Sequence, residues 1–126
     1  MYSIIVMRKY LFAAVVVGFL FVPASTFAAT YCYGGSYCAA KVVYKSNTCS
    51  YYVAEDNAGN YEIFDWFGGN LPYVGNVLYG QWYSYGIKTI YNLSVYNYPT
   101  SRMYIAANML SYDSLLREYS TYCPYY

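Results

Sequence analysis

The sequence predicts a mainly β domain, a small barrel or sandwich of five short strands followed by one C-terminal helix. Three observations carry this expectation. Between residues 49 and 106, short aromatic and β-branched runs alternate with clusters of Gly, Pro, Asn and Asp. After Ser111 the apolar residues change to a helical spacing. All four cysteines, an even number, lie after residue 28, which suits a small domain held by disulfides.

In chain order, residues 7–28 have the layout of a secretory signal peptide. Arg8 and Lys9 lead an apolar run over 10–22, Pro23 ends it, and Thr26-Phe27-Ala28 forms a cleavage triplet before Ala29. The run is shorter than the ~20 residues a spanning helix needs. Ile4, Ile5 and Val6 stand ahead of the charges, so the expected start is Met7. The expected organisation is a signal peptide over 1–28, an irregular N-terminal arm over 29–48 and a barrel with its helix over 49–126. Secreted or periplasmic localisation follows, with membrane contact only through the signal segment before cleavage. The alternative is anchoring by an uncleaved N-terminal segment.

The arm carries a small loop around Gly34-Gly35, flanked by Cys32 and Cys38, and a short extended piece over 40–44. The strands are then read at 50–55, 61–67, 77–82, 87–96 and 102–106. The turn Asp56-Asn57-Ala58-Gly59-Asn60 makes the first two a hairpin. Gly68-Gly69-Asn70-Leu71-Pro72, Ser84-Tyr85-Gly86 and Asn97-Tyr98-Pro99-Thr100-Ser101 separate the rest. Ser111 is an N-cap, Asp113 suits the positive end of a helix, and Tyr112, Leu115, Leu116, Tyr119 and Cys123 share one helical face up to Pro124. A helix over 112–121 thus lays Leu115 and Tyr119 on the barrel.

Cys49 precedes the first of these strands and Cys123 follows the helix, so their bridge would clamp helix to barrel. Cys32–Cys38 would then stiffen the arm without holding the fold. A zinc site is disfavoured, because no C-x-x-C knuckle and no histidine occur.

Several turn signals resemble an OB-fold: Glu55-Asp56-Asn57-Ala58-Gly59 after a strand, the aromatic strand Ile63-Phe64-Asp65-Trp66, Leu71-Pro72-Tyr73-Val74-Gly75-Asn76-Val77, and Gly80 at a bend. Asn76 stands where that pattern has Asp, and the helix follows the fifth strand instead of the third. An SH3-like barrel is therefore the alternative. The order of cysteines, strands and helix also resembles small uncharacterised exported bacterial proteins, which imply no activity. The OB-like resemblance implies binding of oligosaccharides or oligonucleotides on the face of strands two and three.

Composition narrows the function. Without histidine, Ser-His-Asp and Cys-His sites cannot assemble. Glu62 and Asp65, the nearest pair of acids for glycoside hydrolysis, lie three apart on a strand and point to opposite faces. After residue 28, Lys41, Lys45, Lys88, Arg102 and Arg117 face six acids, so a nucleic-acid partner is disfavoured. The expectation is a non-catalytic binding domain without cofactor, taking a glycan, peptide or other small ligand on aromatic side chains, with Trp66, Trp82 and Tyr98 as candidates. The alternative is an envelope or surface protein whose abundant tyrosines meet a protein partner. Asn92-Leu93-Ser94 also matches a glycosylation sequon.

Overall fold

The computed structural model describes residues 31–124; the expected signal peptide and start at Met7 lie outside them. Six strands, not five, form the sheet: β1 (Cys38–Lys45), β2 (Tyr51–Asp56), β3 (Tyr61–Gly69), β4 (Val77–Gly80), β5 (Gly86–Asn92) and β6 (Thr100–Leu110). They close into a barrel in the order β1-β2-β3-β6-β5-β4, with every neighbouring pair antiparallel.

The added strand is β1, within the stretch expected to be an irregular arm. Its sequence joins Ala39, Ala40 and two lysines, poor strand formers, to Val42, Val43 and Tyr44, which lie within the piece expected to be extended. Its pairing on both sides, with β2 and with β4, makes that piece a full barrel strand. The spatial order β4-β1-β2-β3 is a Greek key.

Side chains of alternate residues fill the interior. Val42, Tyr52, Phe64, Leu78, Ile90, Met103 and Ile105 meet there, and Trp82 enters from the β4–β5 connection. The Tyr52 and Phe64 rings stack at 5.0 Å. Gly80 leaves room for the Ile90 side chain, whose Cδ1 would have to move if a Cβ were added there. At Gly69, φ is 81° and a Cβ would lie 2.6 Å from the Thr100 carbonyl oxygen.

A second apolar layer lies outside the barrel. Helix α1 (Tyr112–Tyr122) buries Leu115 and Tyr119 against Val53, Ile63 and Ala107. Its N-cap is Ser111, whose Oγ accepts from the Ser114 amide. The Tyr119 hydroxyl donates to the Tyr51 carbonyl at 2.9 Å and accepts from the Ser46 amide at 3.4 Å. One buried side chain thus ties the helix to the β1–β2 connection.

Two disulfides complete the fold. Cys49–Cys123, with Cα atoms 5.7 Å apart, joins the start of β2 to the C-cap of α1. Cys32–Cys38 spans 5.1 Å between Cα atoms. Its role differs from the expected stiffening of an arm, because Cys32 and Cys38 are both buried in the barrel core. The intervening loop is held by a 2.8 Å bond from Gln81 Nε2 to the Gly35 carbonyl.

Candidate functional site

A groove of about 470 Å³ runs between α1 and the outer surface of the barrel, within the size range of small-ligand sites. Val43 and Tyr44 come from β1, Val53 and Glu55 from β2, Tyr61 from β3, and Tyr112, Leu115, Leu116 and Tyr119 from the helix.

A bulge in β1 gives the groove its near wall. The β1–β2 register slips between Val42 and Tyr44, leaving Val43 as the extra residue. Consecutive strand residues normally face opposite sides, but the bulge lets Val43 and Tyr44 line the same groove.

Aromatic rings form the remaining walls. Tyr44 and Tyr119 meet edge to face at 5.7 Å. Tyr61 and Tyr112 lie 6.0 Å apart at 60°. Tyr119 is fixed by its two hydrogen bonds, whereas Tyr44, Tyr112 and Leu116 remain exposed at the rim. Burial, followed by the Glu55 carboxylate, pushes the Tyr61 hydroxyl pKa up. Glu55 supplies the charge in this lining. The arrangement can enclose an apolar body, offer ring faces, and present hydroxyl and carboxylate groups at one end.

The three residues expected to bind ligand have different fates. Trp82 is fully buried, its ring 5.3 Å from that of Phe64, and so fills the core instead of meeting a ligand. Trp66 is partly exposed, and its indole donates to the Asn70 carbonyl at 3.2 Å. It shares the inward parity of Glu62 and Phe64 but sits where β3 runs past its pairing with β2, which ends at Asp65, while still pairing with β6. Tyr98, with φ 49°, belongs to the β5–β6 loop and lines a shallow hollow with Leu93, Ser94, Val95, Tyr96 and Asn97. The pairing of Gly69 with Ser101 puts Trp66 and Tyr98 at the same barrel end, away from the Glu55–Tyr61 end of the groove.

The sequon asparagine is structural. Asn92 is fully buried, and its Nδ2 donates to Asn70 Oδ1 and Asn76 Oδ1, each at 2.9 Å. Its Oδ1 accepts from the Ser94 amide. Asn76 keeps the acceptor role that an Asp would have there: its Oδ1 also accepts from the Tyr73 amide, closing the turn before β4.

Glu62 and Asp65 do not converge, as their spacing on one strand implies. Glu62 points into the barrel and is fully buried, while Asp65 is only partly buried. The neighbour of Glu62 is Asp56, across the β2–β3 hairpin. Asp56 Oδ1 accepts from the Ala58 and Asn60 amides and shapes that turn. The Glu62 carboxyl interacts with the Asp56 side chain and with the Met109 backbone amide. Burial first, then Asp56, push its pKa up to about 11. Tyr83, which accepts from Asn60 Nδ2 at 2.8 Å, is pushed to about 12, chiefly by burial. Such a protonated, enclosed carboxyl group suits a structural role.

The chain matches no protein family, no curated protein and no solved structure. Sequence reasoning missed the groove because its lining is spread over β1, β2, β3 and α1. The available signal was the run Tyr112, Leu115, Leu116 and Tyr119, which is broader than one packing seam needs.

Proposed function

We propose that this protein is a non-catalytic binding domain whose ligand lies in the groove between α1 and the barrel. The supporting observation is the concave site itself, with four tyrosines and four aliphatic side chains held on strands and a disulfide-anchored helix. Rigid elements position such rings at low entropic cost. An apolar peptide segment or small amphiphile suits this lining better than a glycan, which needs more converging polar groups. The two disulfides fit an oxidising compartment, and together with the N-terminal sequence they support export to the periplasm or cell exterior. We read the barrel as OB-like and not SH3-like because its first four strands form a Greek key.

A binding screen of the purified, oxidised protein against peptides, amphiphiles and glycans tests the proposal. Saturable binding of an apolar-bodied ligand, reduced at least tenfold by the uncharged change Leu116→Gln at the exposed rim, is expected. Binding untouched by that change but lost in Trp66→Ala would move the site to the other barrel end and overturn the groove assignment.

A second reading rests on the outer surface around β3 and β6. Phe67 stacks on Tyr104 at 6.3 Å, Tyr51 meets Tyr122 at 4.8 Å, and Tyr85 and Ile87 are exposed. This aromatic surface suits an envelope or surface protein with a protein partner. Crosslinking from Tyr85 or Ile87 positions to one specific protein, with no ligand found for the groove, would favour it.

A further inference from the structure

We propose that the groove selects ligands bearing a cationic group on an apolar body, with Glu55 and the surrounding tyrosine rings receiving the cation. This rests on the groove-binding reading and specifies its ligand class. The first observation is the charge in the lining. Glu55 is the acid of the groove, and no lysine or arginine shares its walls. The second is ring geometry. Tyr61 and Tyr112 form an angled corner, and Tyr44 and Tyr119 form an edge-to-face wall across from it. The faces of such rings carry negative potential and attract a cation, most strongly where water is excluded.

The nearby cations of the protein do not fill this role. Lys45, beside Tyr44, donates to the Ser46 and Cys49 carbonyls at 3.0 and 2.8 Å and lies over the Tyr52 ring. Arg117, beside Leu116, donates to Ser114 Oγ. Lys41 is the counterweight. It pairs with Glu55 across β1 and β2, and the two together line an adjoining hollow with Asp56 and Asn57, while Lys41 itself is not part of the groove wall. It therefore weakens the field of Glu55 without occupying the site. The positive end of α1 lies near Tyr112, where Ser111 caps the helix and Asp113 offsets its dipole.

The aliphatic part has a separate place. Val43, Val53, Leu115 and Leu116 continue the groove beyond the aromatic corner, so an alkyl or apolar side-chain body can be buried while its charge stays at the wetter end.

Titration calorimetry of the full, oxidised protein with octyltrimethylammonium, 1-octanol and octanoate tests the inference. The cation should bind roughly tenfold more tightly than octanol, and octanoate most weakly. Glu55→Gln should bring the cation to the affinity of octanol while leaving octanol unchanged. Lys41→Met should tighten the cation about twofold and not octanol, a direction that general loss of structure cannot produce. Octanol binding without a preference for the cation, or a preference surviving Glu55→Gln, overturns the cation assignment while leaving the groove reading intact. If none of the three compounds gives binding sensitive to the uncharged change Leu116→Gln, the groove reading and the cation assignment fail together.

Discussion

A carboxyl group buried beside a second acid is far cheaper to keep neutral than charged. Glu62 is in this position, enclosed in the barrel next to Asp56, with its pKa pushed up to about 11. The folded protein therefore holds a proton that the unfolded chain releases near an ordinary glutamate pKa. Stability is greatest below that value and falls as pH rises toward about 11, by at most about 1.4 kcal/mol per pH unit. Urea unfolding at pH 5 and pH 8 should show the wild type less stable at the higher pH. Glu62→Gln should flatten the dependence and stabilise at pH 8 by about 1–3 kcal/mol. A flat wild-type profile would show that Glu62 is not held protonated. The two tryptophans offer a separate comparison. Trp82→Ala empties a fully enclosed core position and should cost about 3–5 kcal/mol. Trp66→Ala, at the barrel end, should cost under about 1 kcal/mol. Equal losses would contradict their placement.

At the scale of elements, Cys49–Cys123 and Tyr119 hold α1 to the barrel. Cys49–Cys123 closes a sequence separation of 74, so its removal should cost about 4 kcal/mol by chain-entropy arithmetic. Cys32–Cys38 closes a separation of only 6, but its sulfurs lie in the core. Its removal should cost about 2 kcal/mol from the short loop, plus lost packing. Melting temperatures of the two double Cys→Ala variants should therefore both fall, with Cys49/Cys123 falling further. An unchanged temperature for Cys32/Cys38 would contradict its structural role. Tyr119→Phe removes both bonds to the β1–β2 region and should cost about 1–2 kcal/mol. Faster amide exchange at Ser46 is the local signature.

For the whole molecule, closure depends on β1. Removing it would leave β2 and β4 with unpaired edges and open the interior beside Val42. Exposed strand edges invite aggregation. A chain reduced to residues 49–126, which holds all five strands visible in the sequence pattern, should fail to fold. Dispersed NMR amide resonances from that fragment would refute the requirement for β1. Closure also supports the groove, because β1 brings Val43 and Tyr44 to face a helix some seventy residues later.

The turn chemistry and helix rhythm were readable locally. Asp56 to Asn60 and the Ser111 cap act through nearby backbone groups, so composition alone places them, whereas Gly68 and Gly69, expected to break the strand, stay in β3 because β6 pairs with them. The hairpin of β2 and β3 and the helix face formed by Leu115 and Tyr119 follow directly. β1 was not readable as a barrel strand because its small and charged residues gain their conformation from two distant neighbours. For the same reason sequence could not decide the faces of Trp82 and Trp66, which depend on which residues remain inside when the barrel closes. Nor could it reveal that Glu62 faces Asp56. The groove was the least legible feature: a bulge one residue long redirects Val43 and Tyr44, and only tertiary packing brings them opposite Tyr112 and Leu116. Local preferences determine where this chain turns and where its helix begins, whereas barrel closure decides which side chains are buried and which can meet a ligand.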